Sequence, residues 1–291
     1  MIKNTLLTLI ISMLLCLTFS PVYAHTDGHT ASEESSSEQA QEGQDDGLVT
    51  YLGNEALLVT YNATKVLFDP FFHNAYNSFQ LVPEDIQKAL FSGKPPYDNI
   101  DAIFISHAHG DHFSANDVHR YLTSFPNTQL VAPKQAVDEV LKLADNTDIQ
   151  KRIVSLSLDY QDPPVNKRLE NISFDAVRIP HAGWPQRADV ANLVYRVSLD
   201  NKVTIMHLGD ADANDTHFKP LIDHWHATLT HMVYPPFWFF TTEDGPMIIN
   251  TRINARESIG VHVPIDVPEE LRKSGADYFT IPGETRSLQT D

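Results

Sequence analysis

One stretch limits the possible folds more than any other: Ser106-His107-Ala108-His109-Gly110-Asp111-His112, directly after Ile103-Phe104-Ile105. A run of β-branched and aromatic residues ending in a polar, Gly-containing turn reads as a buried strand that delivers a loop. His107 and His109 are two positions apart, so in an extended segment both project from one side. Asp111 and His112 follow the Gly, where the chain can turn and present a second pair to a neighbouring point. That arrangement suits two adjacent metal ions better than one. Neutral imidazole and carboxylate are donors for zinc, and less commonly for iron or manganese.

The surrounding sequence alternates between strands and helices. Residues 48–52, 56–61 and 65–68 are short apolar runs separated by Gly53-Asn54 and Asn62-Ala63, an antiparallel meander. Residues 73–98 read as an insertion with a short helix near 83–91, placed to act as a lid. After the metal motif, Ser114 opens a capping box and Val118, Tyr121, Leu122 and Phe125 follow at helical spacing. Residues 129–132 are a strand, and Val137, Val140, Leu141 and Ala144 mark a further amphipathic helix. This alternation predicts an α/β sandwich, and residues 47–291 are about one domain's length.

Three later strands also end in ligand-type residues. Residues 172–179 lead to His181, and 193–198 with 202–207 form a hairpin turned by Asp200-Asn201 that leads to Asp210. Residues 258–263 carry His262. A second group, His224, His226 and His231, is rejected as a metal site. Phe218, Leu221, Ile222 and Trp225 form one helical stripe that leaves His224 and His226 on the solvated side.

His107-Ala108-His109-Gly110-Asp111-His112 resembles the HxHxDH motif of the metallo-β-lactamase-fold hydrolases. The early LGNEALLV and FDPFF segments are similar to the ascorbate-phosphate lactonase-like branch of that superfamily. The resemblance covers nearly all of residues 48–288 and implies a single-domain, four-layer αββα sandwich. It also implies a ligand set: His107, His109 and His181 on one zinc ion, Asp111, His112 and His262 on the other, and Asp210 between them. Asp69 would stand behind the site and hold a ligating His through its second ring nitrogen, although Asp before Pro is also a turn former. Two ions so held would share a water of lowered pKa that attacks an ester, lactone, amide or phosphodiester, with Asp111 and Asp210 as catalytic residues.

The resemblance also sorts the alternatives. Lactamases with a Cys ligand do not fit, and other lactamases lack the bridging Asp. Di-iron oxygen-reducing relatives carry a Glu where His109 stands. An iron-dependent persulfide dioxygenase remains the alternative from another class, with a β-lactamase behind it.

Composition narrows the partners and the compartment. Residues 1–24 have a basic start at Lys3, an apolar core and a Val22-Tyr23-Ala24 cleavage site, so they read as a signal peptide that directs the protein to the periplasm or outside. The apolar core is too short for stable membrane insertion. Residues 25–46 hold seven acidic side chains and no large apolar residue, and are expected to be a disordered tether. Cys16 is the one cysteine, so a mature chain would have neither a disulfide nor a thiolate ligand. Net charge is −17 with no Lys/Arg cluster, which disfavours nucleic-acid substrates. Trp184, Phe237 and Trp238 are candidates for a substrate wall around an uncharged or apolar small molecule. The aromatic run 234–240 serves equally well as a subunit interface in an oligomer.

Overall fold

Strand alternation assigns each side chain of the metal-bearing strand to a different layer. In the computed structural model, Ala102 and Phe104 face the core between two sheets, whereas Ile103 and Ile105 face a separate core beneath helices. A strand buried on both faces reads as a continuous apolar run, which is the pattern of Ile103-Phe104-Ile105. The structure describes residues 47–143 and 147–290. The expected leader (1–24) and acidic tether (25–46) lie outside the described residues.

The N-terminal half supplies β1 (Gly47–Gly53), β2 (Ala56–Tyr61), β3 (Thr64–Phe68), β4 (Ala102–Phe104), β5 (Gln129–Pro133) and β6 (Ile153–Leu156). The other half supplies β7 (Val165–Leu169), β8 (Ile172–Arg178), β9 (Leu193–Leu199), β10 (Val203–His207) and β11 (Thr230–Tyr234). It ends with β12 (Ala255–Gly260), β13 (Asp277–Tyr278) and β14 (Thr285–Leu288). One seven-stranded sheet has the order β14-β1-β2-β3-β4-β5-β6 and the other β13-β12-β11-β10-β9-β8-β7. The predicted meander is β1 to β3. The predicted hairpin is β9 and β10, with Asp200 and Asn201 both at φ 53°, the left-handed pair that a two-residue turn requires.

Three helices cover the first sheet: α1 (Glu84–Ser92), α2 (Ala115–Ser124) and α3 (Lys134–Leu143). Ser114 caps α2 by accepting from the Asp117 amide. Val118, Tyr121 and Leu122 are buried against Ile103, Ile105 and Leu130, as the helical spacing predicts. On the far side, Phe218, Trp225, Phe239 and Ile248 pack on Val177, Val194, Met206 and Val233 of the second sheet. The layers are therefore helix, sheet, sheet, helix, the predicted αββα sandwich. Among the described residues no helix is long and apolar enough to cross a membrane.

Strand direction decides where the site lies. β3, β4, β5 and β6 are parallel neighbours joined by helical crossovers. β8 and β10 are both antiparallel to β9, so they share a direction, and β11 and β12 are parallel to β10. The carboxyl ends of β3, β4, β8, β10 and β12 thus meet at one edge. Two bonds tie the sheets together there: Leu193 N to Ser106 O at 2.9 Å, and Tyr195 Oη to Ile105 O at 2.9 Å.

Candidate metal centre

Each of those five strand ends contributes a side chain, and the seven predicted ligands converge in two groups. His107 Nε2 and His109 Nδ1 are 3.0 Å apart, and His181 Nε2 is 3.1 Å from the same His109 nitrogen. Asp210 Oδ2 faces this group, 3.1 Å from His181 Nε2 and 3.8 Å from His107 Nε2. The other oxygen, Oδ1, faces a second group, 3.3 Å from His112 Nε2 and 3.2 Å from His262 Nε2. Asp111 Oδ2 completes it, 3.7 Å from His112 Nε2 and 3.5 Å from His262 Nε2. One carboxylate therefore looks into both groups.

The ring tautomers follow from the other nitrogens. His112 Nδ1 donates to Asp69 Oδ2 at 2.9 Å, and His181 Nδ1 donates to Ala182 O at 2.7 Å. Ser106 Oγ gives its proton to Asp69 Oδ2, so it accepts from His107 Nδ1 at 3.0 Å. All three rings keep a proton on Nδ1 and turn Nε2 toward the centre, where its lone pair is the one a metal would take.

These atoms have little else to bind. Asp111 Oδ1, His112 Nε2, Asp210 Oδ1 and both His262 nitrogens are buried without a hydrogen-bond partner. Four donors around a tetrahedral zinc at about 2.0–2.1 Å lie about 3.3 Å from one another. These separations, 3.0 to 3.8 Å, bracket that value, and all the donor atoms of each group lie within 4.8 Å of one another. The residues present fit a divalent metal at each position.

Burial adjusts the protonation states. His107 and His109 are pushed below the usual histidine range, chiefly by burial and then by neighbouring imidazoles, which keeps them neutral. Burial acts to raise the Asp210 carboxyl, but His262 and His112 outweigh it and hold the carboxyl well below the ordinary range. Asp111 is lowered in the same way, with the neighbouring His262 and His112 overcoming burial.

Several residues that sequence reasoning missed support this cluster. Asn192 accepts from Asp210 N at 3.0 Å and donates to Leu208 O at 3.1 Å, fixing the turn that presents Asp210. That turn needs Gly209: φ is +52°, and a Cβ there would meet Asn192 Oδ1 at 2.5 Å and Ser106 Cβ at 2.6 Å. Glu55 and His207 lie behind the site, fully buried, with Glu55 Oε2 3.5 Å from His207 Nε2 and 3.9 Å from His112 Nδ1. Burial first, then the Asp210, Asp69 and Asp111 charges, push the Glu55 carboxyl well above its usual range, against the lowering effect of His112. Glu55 lies in the LGNEALLV segment, which points to no role for it, and Asn192 and His207 have no motif to mark them.

The structure divides the predicted wall residues. Trp238 stands beside the cluster, its ring 5.3 Å from that of His262 and its Nε1 bonded to Ala211 O. Phe237 packs edge-on against Trp238 at 5.5 Å. Trp184 instead packs on Tyr160 at 5.0 Å and His217 at 6.1 Å. The unpredicted neighbour is Phe79, whose ring lies 4.1 Å from His262. His262 itself follows β12 rather than lying within it, at φ 54°. His226 is exposed and bonds Thr251 O, and His231 accepts from Thr204 N. His224 is half-buried rather than solvated, with its ring against Trp225. These three histidines form no metal-type cluster among the described residues.

The model of the β-lactamase superfamily domain matches residues 48–224. The chain belongs to that family. The match takes in every member of the cluster except His262, which the fold brings back from beyond it. No curated protein matches this chain in sequence.

Solved structures agree on the fold. A metallo hydrolase of the hyperthermophilic archaeon Ignicoccus hospitalis superposes with a TM-score of 0.56 at 14% identity, over 84% of this chain and 100% of its own. An isothiocyanate hydrolase from Delia radicum gut bacteria gives 0.52 at 16%, over 82% and 98%. A variant of the CmlA β-hydroxylase, an enzyme of Streptomyces venezuelae, gives 0.52 at 10%, over 86% of this chain and 55% of its own. Family, fold and donor set together fit a metal-dependent hydrolase.

Proposed function

We propose that the protein is an exported dinuclear zinc hydrolase acting on an ester, lactone or amide of an uncharged or apolar-tailed small molecule. The observation that carries the dinuclear reading is the Asp210 carboxylate, whose two oxygens face two separate groups of nitrogen and oxygen donors at 3.1 to 3.3 Å. His107, His109 and His181 would hold one zinc, Asp111, His112 and His262 the other, with Asp210 shared. Zinc at these positions supplies Lewis acidity and lowers the pKa of a bound water, the requirement for hydrolysis near neutral pH. The leader-type sequence of residues 1–24 supports export.

The chain's own residues prepare the site for that chemistry. Asp111 keeps Oδ1 without a partner while Oδ2 faces His262 and His112, so one oxygen is available to take or hold a proton. Phe79 and Trp238 both pack edge-on against the His262 ring and present apolar surface beside it. A hollow of about 510 Å³ opens beside Phe79, formed by segment 73–81 and Ile265. Its lining combines Tyr76, Phe79, Leu81 and Ile265 with the neutral carboxamides of Asn74 and Asn77. A second hollow, of about 380 Å³, runs past Trp238 and is lined by Asp212, Glu243 and Asp244. Three carboxylates there repel an anionic substrate, which counts against phosphodiesters.

The test is elemental analysis of the purified protein followed by a substrate panel of neutral esters, lactones, amides and an isothiocyanate, with an anionic phosphodiester as control. Two zinc per chain and turnover confined to neutral substrates are expected. Iron alone, or well under one metal per chain, would refute the reading and favour an iron-dependent oxygenase.

A further inference from the structure

The tip of a hairpin is normally a solvated place, but the β1–β2 turn is buried: Asn54 and Glu55 are both 0% exposed. Segment 81–82 covers it so closely that a Cβ on Gly53 would meet Leu81 backbone atoms at 2.9 Å. A buried turn must place its polar groups, and these reach the ligand-bearing segments. Asn54 Nδ2 donates to Asp111 O at 2.9 Å, His262 N donates to Asn54 O at 3.0 Å, and His207 Nε2 donates to Glu55 O at 3.0 Å. His207 ends β10, the strand that leads to Asp210. Asn54 Oδ1 is meanwhile left buried with no partner, a cost that a turn serving only itself would avoid by carrying Gly.

The three bonds share a pattern. Two of them hold the backbones of Asp111 and His262, the third holds the His207 ring at the end of the strand that leads to Asp210, and the bonds of His181 and its loop go elsewhere. We infer that Asn54 is a positioning residue for the Asp111–His112–His262 position, setting the spacing of two loops that otherwise approach from different sheets. His262 has φ 54°, which a non-glycine residue holds only when its surroundings fix it, and the Asn54 carbonyl is the partner of its amide. The inference rests on the dinuclear reading and names the residue that would make its second half bind.

The experiment is a competitive zinc titration of the full, chelator-stripped chain against a chromophoric chelator. The wild type is expected to take two equivalents. Asn54→Gly keeps the left-handed backbone, φ 46° in the native turn, and removes only the side chain. It should bind the first equivalent within about twofold of wild type and the second about 10–100-fold more weakly, the usual cost of losing an outer-shell partner. Asn54→Asp retains volume and tolerance of the left-handed region but sets an acceptor against Asp111 O, and should weaken the second equivalent at least as much. Circular dichroism of the stripped variants checks that they fold. Both variants binding two equivalents like wild type would overturn the inference, as would equal loss of both equivalents in a folded variant. Wild type taking fewer than two is a separate result, visible without any variant, and would refute the dinuclear reading and this inference with it.

Discussion

Asp69→Asn tests how far the site depends on what lies behind it. Asp69 is fully buried at φ 41° and accepts three hydrogen bonds: Ser106 N at 2.7 Å, Ser106 Oγ, and His112 Nδ1 at 2.9 Å. Asn tolerates the same backbone and has nearly the same volume, so the change isolates acceptor capacity. Its single carbonyl oxygen replaces either Oδ2 or Oδ1. In the first case Ser106 N faces an amide donor, and in the second both Ser106 Oγ and His112 Nδ1 lose their acceptor. One or two bonds to a charged group are lost, at about 1.5–3 kcal/mol each, so about 1.5–6 kcal/mol of stability should go in the metal-free protein. The His112 ring would lose the bond that fixes its tautomer, and the affinity of the second zinc should fall about 10–100-fold. Urea unfolding in chelator and a competitive zinc titration read the two effects separately. Stability within about 0.5 kcal/mol of wild type together with unchanged zinc affinity would refute the role assigned to Asp69.

Asp210→Ala should abolish binding of both zinc ions, since its oxygens face both groups, whereas His107→Ala should remove one; elemental analysis distinguishes them. His224→Ala and His226→Ala should leave zinc content and activity unchanged, and a loss of metal in either would restore the rejected cluster. Trp238→Ala should keep two zinc ions and raise KM about tenfold for the best neutral substrate, equivalent to the burial of one aromatic face; unchanged kinetics with a smaller oligomer would make the loop an interface. Zinc at about 100 times its Kd should stabilise the stripped protein by about 2.7 kcal/mol or more, read as a rise in Tm, and no rise would exclude a resident metal.

Much of this site is legible in the sequence because its ligands sit at strand ends, where an apolar run meets a polar residue. His107 to His112 announce themselves by spacing alone. His181, Asp210 and His262 do not, since each is a single residue after an ordinary strand, and only the family pattern picks them out. The supporting residues were invisible for a physical reason. Asn54, Asn192 and Glu55 act through backbone carbonyls and amides far away in sequence, and such bonds leave no periodic trace. Phe79 was hidden within an insertion whose only readable feature was α1. β7 was missed because a strand at a sheet edge carries polar side chains, as Asn166-Lys167-Arg168 does, and so lacks the apolar signal of a buried strand, whereas β6 is only four residues long. His224 was misjudged because helical periodicity places it opposite Trp225, while the neighbouring Asp175 and Arg196 enclose it.

The charges behind the site give an independent reason to expect two ions. Asp69, Asp111, Asp210 and Glu55 are all buried, and among the described residues none of the four pairs with a Lys or Arg. Their only cationic partners among the described residues are histidines: His107, His109 and His207 are pushed below the usual range, first by burial, while His112, despite its burial, is raised well above it by Asp210 and Asp69. Four carboxylates crowded into one interior with no Lys or Arg among them, and His112 alone pushed toward its charged form, would still cost several kcal/mol each. Protonating Glu55 relieves one charge but leaves Asp210, whose two oxygens still face opposite groups of lone pairs. A single divalent ion would neutralise half of the formal charge and satisfy one of those groups. Two would neutralise all of it, give Asp210 a partner on each side, and occupy both sets of nitrogen lone pairs that Asp69, Ser106 and Ala182 hold in place.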